Sequence, residues 1–355
     1  MNIRLDIMGK LLATALIVVL SASCSAIDED LSNCDNDYQM DYELRLVTNM
    51  TTEIKTQLST QLEVGLAHAL KEHLSSIFSD YAHDVDLSFY DTEGAMPRLQ
   101  HDQHIMDANQ QSYTLYLPKR QYMHLAVANV VDNPVVGIEG DEFCPQSHLA
   151  TVIGSADADT IASHTTGLFT ARQPMEVLEG VDQTFHVQLY MANCAAALVI
   201  DPRGHDISSL KVFTTGFASQ FNIKDSTYVF ASNAPVVRCQ QVRAEDSNEV
   251  CYCSVMFPSR EPSDANMTRS VVETTEPFVG EDSEDTVWKF ITYITKPDGS
   301  VTRTVLGIRK TIRAGQLMVF KGYVTDDGAV QTDDHTVGVS VTLDWNEGGI
   351  YNPDL

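Results

Sequence analysis

Period-two alternation of apolar and polar residues recurs along the chain. In 85–91, VDLSFYD, Val85, Leu87 and Phe89 fall on one side, with Asp86 and Ser88 on the other. In 113–117, YTLYL, the aligned residues are Tyr113, Leu115 and Leu117. In 185–191 they are Phe185, Val187, Leu189 and Met191, and in 337–345 they are Val337, Val339, Val341, Leu343 and Trp345. Such alternation predicts strands with one buried face. Glycine-bearing polar breaks separate the runs: DTEG at 91–94, KPDGS at 296–300 and TDDGA at 325–329. They predict hairpins and strand ends. Short strands joined by such turns argue for β-sandwiches.

One segment has a different period. Over 53–79, Ile54, Leu58, Leu62, Leu66, Leu70, Leu74 and Phe78 recur every fourth residue, which predicts a helix. Four residues turn a helix by about 400°, so the stripe drifts by about 40° per step. The helix must wrap its neighbour, bend, or break near Gly65. It is expected to cover one face of the first sandwich; a partner-binding helix is the alternative. A domain boundary is placed near 172–180, RQPMEVLEG, between a polar stretch and a new alternating run. This gives an N-terminal sandwich at 41–175 with the helical insertion, and a C-terminal one at 176–355. Segments 243–250 and 258–270 read as loops of the second.

The N-terminus carries Arg4 and Lys10, an apolar run from Leu11 to Leu20, then Ser21, Ala22, Ser23 and Cys24. This charged, apolar, then small order is that of a secretory signal over 1–23. The run is too short to cross a bilayer as a permanent helix, and a buried N-terminal helix fits the flanks less well. Cys24 resembles the lipid-accepting cysteine of bacterial lipoproteins. Two or more acyl chains there would give a stable membrane tether. Asp28, Glu29 and Asp30 follow, in an acidic linker spanning 24–40. They resemble the signal that carries Bacteroidetes lipoproteins to the cell surface, and they also read as a solvated linker.

The 355 residues hold 23 Lys+Arg against 49 Asp+Glu, a net charge of −26. So acidic a surface repels phosphate backbones, which argues against nucleic-acid binding. With 43% hydrophobic residues the chain can bury a core. Seven cysteines are present. With Cys24 lipidated, Cys34, Cys144, Cys194, Cys239, Cys251 and Cys253 remain, free to form disulfides or to stay as buried thiols. Cys251 and Cys253 alternate on one strand face, a poor placement for bonding each other.

No catalytic signature is present: no GxSxG elbow, HExxH helix or GxxxxGK[ST] loop. The weaker metal candidates each have a plainer reading. His101, Asp102 and His104 fall in a stretch read as a polar loop of solvated histidines. His68 and His73 lie five apart on the predicted helix, which separates them. Cys251 and Cys253 lack the two-residue gap of zinc knuckles. Asp157 with Asp159, and GEDSED at 280–285, do not fit an EF-hand and read as solvated turns. Trp288 and Trp345 both sit in strand-like runs, so neither is an obvious sugar platform. No cofactor is expected.

Several pieces, in order, resemble one family. They are the lipoprotein-like start with DEDLSNC at 28–34, MDYELRLV at 40–47, VDLSFYDTEG at 85–94 and YTLYLPKRQYMHLAVANV at 113–130. TTGLFTARQPMEV at 165–177, FHVQLYMANCAAALVI at 185–200 and VSVTLDWNEGG at 339–349 complete the series. Together they resemble the FimB-like (Mfa-type) fimbrial anchor subunits of Bacteroidetes. The segment LYMANC departs from the family in lacking a basic residue. The resemblance implies two tandem transthyretin-like, Ig-like β-sandwich domains. It also implies a lipid-tethered subunit on the outer membrane that meets fimbrial stalk subunits by β-strand donation. Stalk subunits of this type are cut after an arginine. Arg45 is the first basic residue after Cys24, and a cut there would release the tether, so an anchor is expected to keep its first strand. An adhesin or glycan-binding lipoprotein on the same scaffold is the second reading.

Overall fold

The computed structural model describes residues 37–46, 62–78, 84–94, 97–106, 112–130, 135–139, 144–147, 160–260, 279–332 and 339–342. In chain order the elements are β1 (Asp37–Leu46), α1 (Val64–Ile77), β2 (Asp84–Asp91), β3 (Arg98–Met106), β4 (Ser112–Pro118), β5 (Gln121–Ala128), β6 (Val136–Glu139) and β7 (Cys144–Ser147). Then come β8 (Thr160–Ala162), β9 (Phe169–Glu176), β10 (Thr184–Met191), β11 (Cys194–Asp201), β12 (Lys211–Thr215), β13 (Gln220–Asn222), β14 (Thr227–Val229) and β15 (Val236–Arg238). The last are β16 (Gln240–Val242), β17 (Val250–Met256), β18 (Val279–Gly280), β19 (Trp288–Thr295), β20 (Val301–Ile308), β21 (Gln316–Val324), β22 (Val330–Thr332) and β23 (Val339–Thr342).

Seven strands form the first sheet, in the order β3-β2-β5-β9-β10-β1-β4. In a flat sheet, β1 and β5 would lie three strand spacings apart, about 14 Å. Yet the Tyr42 hydroxyl on β1 lies 2.7 Å from His124 Nε2 on β5. The Tyr42 ring also meets Phe89 of β2 edge-on at 6.4 Å. The sheet therefore folds over on itself into two facing layers. The fold line runs between β9 and β10, which pair only at Tyr190–Thr170 and Met191–Phe169. By contrast β9 pairs with β5 over eight positions and β10 with β1 over six. The alternation read from sequence holds: Val85, Leu87, Phe89, Leu115, Leu117, Val187 and Leu189 are all buried in one cluster.

The second sandwich has two layers, β16-β17-β11-β21-β22 with β23 also on β21, and β18-β20-β19-β12-β15-β8. Trp288 and Phe290 of β19 meet Phe320 of β21 across the interior at 5.6 and 6.0 Å. The central strand β11 is buried on both faces. Cys194, Ala196, Leu198 and Ile200 point into this second core. Ala195, Ala197 and Val199 join the cluster that contains the first sandwich. A smaller sheet, β14-β13-β7-β6, covers the outer side of β5, where Leu125 and Val127 pack with Phe221 and Ile223.

The turns follow their sequences. In 296–300 and 325–329, Gly299 and Gly328 take φ of +84° and +78°, the left-handed region that glycine enters without a Cβ penalty. Lys296 N–H donates to Ser300 O, and Thr325 N–H to Ala329 O, closing both hairpins.

Three expectations are corrected. Strand pairing does not divide the chain at 175/176: β9 and β10 both belong to the first sheet, and β8 belongs to the second sandwich. The chain crosses over at β11. The helix α1 packs against β16 and β17 of the second sandwich, so it fills the seam between the two bodies rather than the face of one. Leu66, Leu70 and Leu74 are fully buried, and Ala67 and Ile77 widen the stripe, so the drift over this length is absorbed without a break. The helix begins at Val64, with Leu62 and Glu63 non-helical, so the stripe expected from 53 is broken just before Gly65, and 53–61 lie outside the described residues. Glu63 makes no side-chain cap and neither terminal turn carries a complementary charge. Burial, at about 2 kcal/mol per large apolar side chain, holds the helix in place. Residues 101–104, read as a loop, lie within β3. Among the side chains described in 101–105 only Ile105 is buried, so the apolar alternation that announces a strand is missing there.

Candidate functional site

Strand β1 is an interior strand. It runs parallel to β10, with Asp41–Thr184 through Leu46–Leu189 in register. It runs antiparallel to β4, with Asp37–Pro118 through Glu43–Ser112 in register. Arg45 is paired with Gln188, so its peptide is committed to the ladder. Met40 and Tyr42 project inward and are 2% and 0% exposed. On the outer side Glu43 Oε2 lies 2.9 Å from His186 Nδ1 of β10.

The Tyr42–His124 contact fixes a proton arrangement. His124 Nδ1 lies 3.0 Å from the Ser88 carbonyl and donates to it. Nε2 is then the acceptor for the Tyr42 hydroxyl. The imidazole stacks on Phe89 at 4.4 Å. Burial pushes the His124 pKa down to about 4, against a smaller upward pull from the Ser88 carbonyl. It also raises the Tyr42 hydroxyl well above its ordinary range. A second buried histidine, His164, accepts from Asn193 Nδ2 at 2.8 Å. Asn193 Oδ1 accepts from Leu168 N–H, and the Asn193 carbonyl accepts from Gly315 N–H. This network locks the crossover between β9 and β11. Burial holds His164 at about 3.

Where β9 and β10 part, a cavity of about 190 Å³ opens, lined by Thr170, Ala171, Arg172, Gln173, His186, Gln188, Tyr190 and Ser226. The tip of the β13–β14 hairpin supplies Ser226, held at φ +54°. Gln173 Nε2 spans the split to the His186 carbonyl at 3.4 Å. Lower down, Gln183 Nε2 donates to the Glu176 carbonyl. No motif marked these residues, because the cavity comes from the sheet folding over.

The residues singled out from sequence lie elsewhere. Cys24, Asp28, Glu29 and Asp30 lie outside the described residues, as do Cys34, Asp157, Asp159 and Trp345. His104 pairs with Asp86 across β2–β3, and His101 lies against Phe89 at 5.9 Å. Being three apart on a strand, the two histidines leave it on opposite sides. His68 pairs with Glu72 at 3.1 Å. In 280–285, Asp282 binds Lys289 at 2.7 Å. Among the described residues no group of three or more His, Cys, Asp or Glu is placed to hold a metal ion. Trp288 is a core residue whose Nε1 donates to the Lys310 carbonyl.

Cys194, Cys239, Cys251 and Cys253 are buried free thiols. Cys251 and Cys253 share the face turned to α1 and the first sandwich, while Cys194 and Cys239 face the second core. Burial raises all four, Cys239 to about 12. The thiolate is the reactive form. Mass mapping after treatment with iodoacetamide should find these four unmodified in the native protein and fully alkylated in urea. Native labelling of any of them would contradict this burial.

No family model and no curated protein matches the chain. Solved structures do. A candidate adhesin from Bacteroides ovatus matches with a TM-score of 0.52 at 12% identity, covering 86% of this chain and 96% of that one. Candidate polysaccharide-binding proteins from Bacteroides thetaiotaomicron match at 0.48 and 10% identity, over 84% and 98%. The fimbrial anchor protein Mfa2 of Porphyromonas gingivalis matches at 0.43 and 11%, over 81% and 92%. The first of these likenesses is one of fold: a β-rich, two-sandwich body.

Proposed function

We propose that this chain is a non-enzymatic surface lipoprotein of the outer membrane, acting as the anchor or assembly terminator of a strand-exchange fimbria. It is tethered by lipid on Cys24 and directed outward by Asp28, Glu29 and Asp30. The observation that carries the reading is the interior position of β1. A subunit that loses its first strand exposes the edges of two neighbours, and those edges accept a foreign strand by main-chain pairing. Here β1 fills that place between β10 and β4. With its own groove filled, the subunit ends a polymer at the membrane and meets stalk subunits by donation only. The ordered series of motifs in the sequence supports the same reading, and so does the fold shared with the Bacteroides ovatus candidate adhesin.

Radiolabelled palmitate tests the tether. Incorporation is expected in the native protein and lost in Cys24→Ser, which should move to the soluble fraction. Isolation from intact cells should yield a chain beginning at Cys24, together with a second fimbrial protein. A chain beginning at Leu46 would overturn the anchor role.

A further inference from the structure

We propose that the cavity between β9 and β10 binds a carboxylated sugar, a pyranose unit of the uronic-acid class. The inference does not rest on polymerisation or on the lipid tether.

The lining carries the argument. Arg172 makes no ion pair or side-chain hydrogen bond among the described residues. Its planar guanidinium fork matches a carboxylate. Beside it, His186 Nδ1 and Glu43 Oε2 are bonded to each other at 2.9 Å. Around Arg172 stand neutral groups that both donate and accept: the Thr170 and Ser226 hydroxyls and the Gln188 amide. Adjacent sugar hydroxyls need partners of this kind. Tyr190 also lines the cavity, an aromatic residue of the kind that packs on the apolar side of a pyranose. A volume of about 190 Å³ is below the roughly 300–1,000 Å³ of sites for drug-sized ligands, and suits one sugar ring. An inserted peptide strand is disfavoured, because the side-chain bonds of Gln173 and Gln183 already cross the split.

The test is calorimetric titration of the full mature chain with methyl glucuronide, methyl glucoside and acetate. Glucuronide is expected to bind at least about tenfold more tightly than either of the others, the effect of one charge-assisted bidentate contact added to the hydroxyl contacts. Arg172→Met should erase the preference over glucoside with an unchanged melting temperature, since the side chain is exposed. Gln188→Ala should weaken both sugars. Equal affinity for glucuronide and glucoside, acetate as strong as glucuronide, a preference that survives Arg172→Met, or no heat from any of the three would each overturn the proposal. Absence of palmitate on Cys24 would leave it untouched.

Discussion

Replacing Tyr42 by alanine is expected to destabilise the first sandwich by about 5 kcal/mol. The loss of a fully buried aromatic side chain costs about 3–5 kcal/mol through transfer and cavity terms. His124 Nε2 would then be left without the hydroxyl that reaches it at 2.7 Å, which adds about 1–3 kcal/mol. Tyr42→Phe keeps the ring against Phe89 and His124 and should cost only about 1–2 kcal/mol. The effect should be local as well as global. A loss of about 5 kcal/mol raises the population of molecules with β1 detached by more than a thousandfold. Trypsin would then reach the Arg45 peptide, which the native ladder shields by pairing with Gln188. Limited proteolysis read by mass should show a Leu46 N-terminus appearing rapidly in Tyr42→Ala and slowly in the native protein. Equal cleavage rates would mean that Tyr42 is not what seats this strand.

That seat was only half visible in the sequence. Alternation placed Val85, Leu87, Leu115, Val187 and Leu189 inward, and each is buried. It also put Cys251 and Cys253 on one face, which the structure reproduces. Alternation reports which side of a strand is buried. It carries no information on which strand lies alongside. The return of β10 to the first sheet, in parallel with β1, depends on contacts between segments more than a hundred residues apart, and no local rule marks it. The helix is similar. Its leucine stripe demanded a partner, and the partner proved to be β16 and β17. His124 had a visible signal. It occupies an inward place in the series Tyr122, His124, Ala126, Ala128, where a polar residue requires buried partners. The cavity at Arg172 had none, since it exists because the sheet folds between two strands whose sequences look continuous.

The same two buried histidines predict loss of stability in mild acid. In an unfolded chain each takes up a proton near pH 6.5. In the folded chain, burial keeps His124 neutral down to about 4 and His164 down to about 3. Between those limits the unfolded state binds more protons, so stability falls as the pH falls. Each histidine contributes a slope of up to about 1.4 kcal/mol per pH unit, and about 3 kcal/mol each by pH 4. Losses on that scale compare with the whole stability of a domain. The carboxylates with lowered values, Asp91, Asp206, Asp298 and Asp327, stabilise the fold above their unfolded range near 3.8 and lose that effect only below it. The interval from pH 6.5 to 4 therefore isolates the histidines. Urea unfolding across that interval should show a steep decline, and His124→Gln should remove less than half of the slope, since His164 and the partly buried His73, which burial also lowers, keep the rest. A flat profile between pH 6.5 and 4.5 would show that the imidazoles gain protons without unfolding. The Tyr42 hydroxyl, donating to His124 Nε2, opposes protonation: a protonated Nε2 cannot accept that bond, so the contact would have to reverse and leave the buried hydroxyl proton without an acceptor.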